Sequence, residues 1–137
     1  MNVIEWYVGF WPRTSLRSAI RTRAWTAFGH VEAWGYTRDE TWMFFDPRHD
    51  GTIIRIAHAH DEVEALLADK LLNCVSVLKT PYFGASIGLP FHPTMNCASQ
   101  VGHLLGIRAY APRTLHRILR QNGAMEIKDA GRAGERG

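Results

Sequence analysis

Two aromatic-rich runs in the first half of the chain, 25–36 and 41–46, constrain its fold more than any other feature. They are separated by the polar residues 37–40, a break of the length that closes a β-hairpin. A turn-forming segment follows the second run, and the β-rich segment 52–57 (TIIRIA) then predicts another strand. The sequence therefore predicts an antiparallel meander of three strands.

Hydrophobic periodicity and capping residues predict further strands and helices on both sides of this meander. Apolar residues at helical spacing indicate the helices, and β-branched or aromatic runs indicate the strands. Together they predict an α+β fold in which an antiparallel sheet packs against a few helices. The additional elements are a strand over 3–10, a short helix capped by Thr14 or Ser15 that runs to about residue 23, a helix over 62–71 capped by Asp61, a strand over 72–78, a loop over 80–93, a helix capped by Asn96 that ends at Gly106, and a last helix that begins near Pro112.

The length and composition of the chain predict one domain. With 137 residues it has room for a single core, and 46% hydrophobic with 21% charged residues is ordinary for a folded protein. We assign residues 1–128 to this domain. The segment 129–137 (DAGRAGERG) offers no apolar anchor, so it predicts a flexible C-terminal tail.

Composition also argues against several classes of protein. No apolar run approaches the roughly 20 residues of a membrane-spanning helix, and the first residues lack the basic-then-apolar order of a secretion signal. Two cysteines are too few for a disulfide scaffold, so the reducing cytoplasm is the expected compartment. The net charge of +3 is mild and the basic residues lack interleaved stacking aromatics, which argues against nucleic acid as a partner.

Cys97 is the residue best placed to act as a nucleophile. It lies in the first turn of a predicted helix, where free N–H groups and the positive end of the helix dipole favour the thiolate. The same amides, including that of Cys97, can bind an oxyanion. Alternatively, Cys97 heads an apolar helix face with Val101, Leu104 and Leu105, and taken alone it fits that role at least as well. Cys74 lies in an apolar run and is expected in the core.

A cysteine nucleophile needs a base and a group that orients the base, and the hairpin offers both. His30 lies within the first strand, and Asp46 ends the next. If Tyr36 pairs with Glu40 across a three-residue turn, Asp46 lies directly opposite His30 on the same face of the sheet. A slip of one residue would move Asp46 to the other face, and Glu32, which shares the face of His30, is then the orienting carboxylate.

These residues resemble the histidine and aspartate blocks of transglutaminase-like and papain-like cysteine enzymes. The matching residues are His30-x-Glu32-x-Trp34, then Trp42 and the pair Asp46-Pro47. In those families the cysteine begins a helix and usually precedes the histidine in the chain. Here the pair Asn96-Cys97 follows the histidine. This reversed order resembles the circularly permuted papain-like group, the relatives of NlpC-type cell-wall peptidases and of the lecithin:retinol acyltransferase family, where an Asn-Cys pair also opens the helix.

The resemblance implies a permuted papain-like fold and a cysteine-dependent hydrolase that acts on an amide or ester bond. Its triad would be Cys97, His30 and Asp46, its substrate a peptide, amide or ester, and it would need no cofactor or metal. Water as the second acceptor would make it a peptidase or amidase, whereas an amine or alcohol would make it an acyltransferase. Substrate or oxyanion contacts are expected from Asn96, Glu32, Trp34 and Gln100.

Three alternatives stay open, one of which is an Arg-rich nucleic-acid-binding module. The same fold without the reaction would be a catalytically inactive papain-like accessory or binding protein, such as one of phage origin. A zinc site is the third alternative, because imidazoles suit that metal and alternate residues of a strand share a face. Its ligands would come from His49, Asp50, His58 and His60, although histidines at a helix entry more often bond to the backbone.

Overall fold

The protein is described here by a computed structural model that covers residues 3–14, 16–22, 28–48, 50–81 and 96–130. Within these ranges, six strands form one antiparallel sheet and four helices accompany it, which confirms the predicted α+β class. The strands are β1 (Glu5–Pro12), β2 (Phe28–Tyr36), β3 (Trp42–Arg48), β4 (Gly51–Ala57), β5 (Ser76–Pro81) and β6 (Met125–Asp129). The helices are α1 (Leu16–Thr22), α2 (His60–Asn73), α3 (Cys97–Leu105) and α4 (Pro112–Gln121).

The strands lie in the order β4-β3-β2-β1-β5-β6, and every neighbouring pair is antiparallel. The predicted meander is confirmed, because β2, β3 and β4 follow one another in the sheet as they do in the chain. β1 lies on the other side of β2. The strand that carries His30 is therefore an interior strand with hydrogen-bonded neighbours on both sides.

The two faces of the sheet pack against different helices. Alternate residues of a strand point to opposite faces, and on β2 the side chain of Val31 joins the core beneath α3 and α4, which includes Val101 and Leu115. Trp34 points the other way and packs with Phe44 and with Val63 of α2. The core residues of α3 thus meet the sheet on the Val31 face, while Trp34 lies on the α2 face.

The hairpin turn between β2 and β3 lies one residue later than predicted. Tyr36 pairs with Trp42, not with Glu40. The N–H of Thr37 donates to the carbonyl of Thr41 at 3.0 Å, which leaves a three-residue loop between these two residues. Glu40 closes this loop with a left-handed φ of 62°, the conformation that ends many three-residue hairpin loops. Moving the turn by one residue shifts the pairing between β2 and β3 by two residues, so the predicted register is wrong by two. A shift of two residues keeps each side chain on its predicted face of the sheet.

The two C-terminal helices begin where the sequence predicts. Asn96 is the N-cap of α3, and the helix ends at Gly106, whose φ of 77° is the left-handed value favoured at helix C-termini. α4 begins at Pro112, which lacks the N–H that the first helical position leaves without a partner. These boundaries were predictable because each depends on one local residue.

The boundaries around α2 differ from the prediction. The helix begins at His60 with Ala59 as its N-cap, so Asp61 lies inside the first turn, where its charge still suits the helix dipole. It also continues to Asn73, and the following strand starts at Ser76 instead of residue 72. Leu71 and Leu72, expected at an apolar face and in a strand, are 43% and 70% exposed.

The C-terminal part of the chain is ordered beyond the predicted boundary. Residues 125–129 form β6, a strand that the sequence analysis did not predict, and Asp129 pairs with Ser76 of β5. Ala130 is buried, so the predicted tail does not begin at Asp129. The segment is short and its apolar residues Met125 and Ile127 face outward, so it depends on pairing with β5 rather than on burial. Residues 131–137 lie outside the described residues, as do 82–93 of the predicted loop.

None of the helices in the described ranges has the length and apolar character needed to cross a lipid bilayer.

Candidate active site

The N-terminus of α3 is fixed by a reciprocal pair of hydrogen bonds. The N–H of Ser99 donates to Oδ1 of Asn96 at 2.8 Å, and the N–H of Asn96 donates to Oγ of Ser99 at 2.9 Å. The Asn96 amide also donates to the carbonyl of Tyr110 at 2.7 Å. These hydrogen bonds occupy the side chain of Asn96, which was predicted to contact substrate. Asn96 instead determines that Cys97 is the first residue of the helix.

Cys97 lies half-buried at this helix start, with its sulfur turned toward β2. Burial alone raises the pKa of the thiol, but a hydrogen bond with His30 and backbone N–H donors from Val31 and Ala98 outweigh it. The net pKa of Cys97 is therefore below its ordinary value, as a nucleophilic thiolate requires. Cys74 differs, because burial raises the pKa of its thiol to about 12 and leaves it inert in the core. Both cysteines are free thiols.

His30 connects the cysteine to a carboxylate. Its Nε2 lies 2.6 Å from Oδ1 of Asp46, and its ring also interacts with the thiol of Cys97. Burial lowers the pKa of His30, but the hydrogen bonds with Cys97 and Asp46 outweigh burial and raise it above the ordinary value. The thiol and the imidazole are shifted in opposite directions, and this favours a thiolate beside an imidazolium.

Asp46 reaches His30 diagonally. Among the described residues, the ladder between β2 and β3 ends at Ala33 opposite Phe45, and continuing its register would place Asp46 level with Glu32. The prediction that Asp46 lies directly opposite His30 is therefore wrong. The hydrogen bond between Asp46 and His30 nevertheless forms. The shift of two residues leaves both side chains on the same face of the sheet, and diagonal positions on neighbouring strands are close enough to interact.

The carboxylate of Asp46 is held by two partners. Oδ1 accepts from His30, and Oδ2 accepts from Nε of Arg48 at 2.6 Å. Burial raises the pKa of Asp46, but the hydrogen bonds from Arg48 and His30 outweigh burial and hold the pKa below the ordinary value. Asp46 is thus an ionised orienting group.

Glu32, the alternative orienting carboxylate, is engaged elsewhere. Its Oε1 accepts from Nζ of Lys70 at 2.7 Å, and both side chains are largely buried, with 6% and 13% of their surface exposed. Lys70 also lies 5.6 Å from the ring centre of Trp11. This ion pair links β2 to α2 beside the candidate site, and it leaves Asp46 as the carboxylate that contacts His30.

Two other residues predicted near the substrate have structural roles. Trp34 is 2% exposed and stacks on Tyr7, so it belongs to the core and does not wall a groove. The side-chain oxygen of Gln100 accepts from the hydroxyl of Thr52 at 2.8 Å, which ties α3 to β4. Neither contact could be derived from spacing, because each joins elements far apart in the chain.

A cavity of about 310 Å³ opens beside the histidine and the aspartate. It is lined by Trp11, His30, Glu32, Asp46 and Arg48. Side-chain ligand atoms of His30, Glu32 and Asp46 lie within 4.8 Å of one another, a spacing that a metal ion could use. However, Lys70 and Arg48 already neutralise the two carboxylates. A cation would have to displace both, so the donor set fits a hydrogen-bonded cluster better than a metal centre.

The predicted zinc ligands are not gathered in the described part of the chain. His58 exchanges a hydrogen bond with the hydroxyl of Thr41, at 3.2 Å from Nδ1. His60 pairs with Glu64 at 3.0 Å. His49 lies outside the described residues. His58 and His60 thus bond to local neighbours at the entry of α2.

Arg48 and Lys70 were missed by the sequence analysis. Arg48 is two residues after Asp46 on one strand, so strand periodicity alone places both side chains on the same face. That signal was present in the sequence. Lys70 reaches Glu32 across 38 positions of the chain, and no local pattern indicates such a contact.

The fold and the site together define a class: an α+β protein in which a helix-initial cysteine, a strand histidine and an aspartate on the neighbouring strand form one hydrogen-bonded group. Comparisons of the chain with protein-family models, with curated proteins and with solved structures gave no match.

Proposed function

We propose that this protein is a cysteine-dependent hydrolase that cleaves an amide or ester bond. Cys97 is the nucleophile, His30 the general base and then acid, and Asp46 the residue that orients His30. One observation carries the proposal: the three side chains are linked in series, with the pKa of the thiol lowered and that of the imidazole raised. Such opposed shifts in neighbouring groups are typical of catalytic sites.

The reaction proceeds through a thioester. The Cys97 thiolate attacks the substrate carbonyl carbon, and the carbonyl electron pair moves onto oxygen to form a tetrahedral oxyanion. This oxyanion collapses, the bond to the leaving group breaks, and His30 gives its proton to the departing amine or alkoxide. His30 then removes a proton from water, which attacks the thioester and releases a carboxylic acid together with the regenerated cysteine. No cofactor or metal is required.

The N-terminus of α3 supplies the oxyanion site in this proposal. N–H groups in the first turn of a helix have no carbonyl acceptor within the helix, and they carry the positive end of its dipole. The N–H of Cys97 lies beside the attacked carbon in any geometry that lets the sulfur attack. The Asn96 cap keeps these donors in place before substrate arrives.

The resemblance to permuted papain-like enzymes supports the same chemistry. In those families the histidine and its orienting residue lie on adjacent strands and the cysteine begins a helix, as His30, Asp46 and Cys97 do here. The packing of α3 against β2 and β3 agrees with that arrangement. Water as the second acceptor makes this a peptidase or amidase. The reducing cytoplasm is the compartment that suits a free thiolate.

The test is the rate at which each cysteine is alkylated. The protein is treated with iodoacetamide between pH 5 and 9, and peptides that contain Cys97 and Cys74 are quantified by mass spectrometry. Cys97 is expected to react at least about 10-fold faster than Cys74 near neutral pH, because the thiolate is the reactive form. His30→Ala should slow the alkylation of Cys97 near neutral pH, because it removes the hydrogen bond with His30 that favours the thiolate. His103→Ala is the matched control, since His103 is an exposed histidine on α3 outside the site.

A second measurement tests turnover. Hydrolysis of p-nitrophenyl acetate should show a burst of about one equivalent of nitrophenol in the wild type and none in Cys97→Ser. Labelling of Cys97 that is slow and unaffected by His30→Ala, with no burst, would contradict the proposal. That result would favour the inactive papain-like accessory or binding protein, the alternative of phage type.

A further inference from the structure

Arg48 is the outermost member of the hydrogen-bonded series that ends at Cys97. Its Nε donates to Oδ2 of Asp46 at 2.6 Å, while 59% of its own side chain is exposed. His30 occupies the other oxygen of the same carboxylate at the same distance. Because the two oxygens are held by different partners on different strands, rotation of the carboxylate would break both bonds. Arg48 therefore fixes the plane in which Asp46 meets His30.

Arg48 also compensates an unfavourable pairing of charges. The carboxylates of Asp46 and Glu32 have oxygens within 4.8 Å of each other, and two carboxylates this close resist being ionised together. Lys70 of α2 neutralises Glu32. The guanidinium of Arg48 does the same for Asp46, which it contacts directly.

The charged groups around Asp46 come from every element packed against it. β2 contributes His30 and Glu32, and β3 contributes Arg48. α2 contributes Lys70 through Glu32, and α3 contributes Cys97 through His30. Asp50, in the turn after β3, also acts on Arg48 through its charge. Of the two cations, Arg48 is the exposed one, so it can be replaced with little effect on the core.

We propose that Arg48 is a positioning residue that keeps Asp46 ionised and aligned with His30, and thereby sets the lower pH limit of Cys97 reactivity. This inference rests on the proposed function. Without the cation, Asp46 binds a proton more readily, and loss of a positive charge also makes the Cys97 thiolate harder to form. Both effects raise the pH at which Cys97 becomes reactive. The acid limb of the profile, where the alkylation rate rises with pH, must therefore move to higher pH.

The first measurement is the titration of Asp46 itself, followed by carboxyl ¹³C NMR in the wild type and in Arg48→Gln. Glutamine keeps a hydrogen-bond donor but removes the charge. The midpoint for Asp46 is expected to rise by about one pH unit, in line with removal of a directly bonded cation. An unchanged Asp46 titration in Arg48→Gln would overturn the proposal.

The second measurement is the pH profile of Cys97 alkylation by iodoacetamide. The acid limb should move up by about half a pH unit or more in Arg48→Gln and in Arg48→Ala. Arg48→Lys keeps the charge and should hold the limb near its wild-type position. Arg55→Gln is the matched control, because Arg55 is an exposed arginine on β4 and its replacement removes the same charge. The pH profile of this variant is expected to match that of the wild type.

The outcomes separate this inference from the proposed function. If Asp46 titrates higher in Arg48→Gln but the acid limb stays in place, the charge does not reach Cys97 and the inference is overturned. If Arg48→Lys behaves like Arg48→Gln, charge is not the property that matters, which also overturns it. The proposed function is judged earlier, from wild type against His30→Ala, before any Arg48 variant is compared. Circular dichroism of each variant verifies that it is folded.

Discussion

His30 contacts Asp46 at 2.6 Å although the two residues are not paired across the hairpin. The described ladder between β2 and β3 ends at Ala33 opposite Phe45. Beyond that point a hydrogen bond from the backbone of Val31 reaches Cys97 and lowers the pKa of its thiol. The end of the ladder is thus where the thiol from α3 meets the histidine. This places the imidazole between a carboxylate on one side and a sulfur on the other.

Asp46→Asn tests the orienting role. Asparagine fits the same space, but its amide bonds differently to His30 and removes the charge that favours the imidazolium. We expect the rate of p-nitrophenyl acetate hydrolysis to fall by about 100-fold or more, the size of a general acid–base contribution. Asp69→Asn, an exposed aspartate on α2, should leave the rate unchanged. Equal activity of Asp46→Asn and wild type would remove Asp46 from the mechanism.

The pH dependence of Cys97 alkylation follows from the pKa shifts of Cys97 and His30. The lowered pKa of Cys97 means that reactivity appears as pH rises through a value below the usual 9.0. The raised pKa of His30 means that the imidazolium persists above 6.5 and is lost only as pH rises further. Steps that need a proton from His30 should therefore decline on the alkaline side. In His30→Ala the rise of alkylation should move toward the ordinary thiol value, and a profile identical to wild type would contradict the pairing.

Asn96→Ala tests whether the helix cap supports the site. Loss of the bond from Ser99 should reduce the free energy of unfolding by about 1 kcal/mol, as typical N-cap removals do. The start of α3 should also fray, so Cys97 alkylation should slow although residue 97 is unchanged. Asn96→Asp keeps an acceptor for the Ser99 N–H and should recover most of the stability. Urea denaturation and alkylation rates measure the two effects, and an unaltered rate in Asn96→Ala would show that the cap does not position the thiol.

Lys70→Met tests the ion pair next to the site. It leaves Glu32 charged and largely buried without its partner, and breaking such pairs costs about 3 kcal/mol or more. The double variant Glu32→Gln with Lys70→Met removes both charges and should regain much of that loss. Denaturation by urea at pH 7 gives the comparison. Equal stability of the single and double variants would contradict a penalty for leaving Glu32 buried without its partner.

The candidate site could be predicted in part because its members carry local signals. Cys97 follows a capping asparagine, so its place at a helix start needed no knowledge of the rest of the fold. His30 and Asp46 lie on adjacent strands of one hairpin, and their shared face survived an error in the turn because side chains alternate with a period of two. The same reasoning could have found Arg48, which is in phase with Asp46.

The sequence by itself determined the class of fold, the meander, the start and end of α3, and the chemical types available at the site, since turns, caps and alternation depend on near neighbours. The tertiary structure alone decided the partners of Glu32, Asn96 and Gln100, the pairing of β6 with β5, and which carboxylate meets His30. Most of these contacts join elements distant in the chain, and Glu32 is withdrawn from His30 by Lys70, which lies 38 residues further on. These contacts follow from how helices and strands pack around one core. The ionisation of Cys97 and His30 depends on the same packing, because burial and neighbouring charges shift a pKa only in the folded protein.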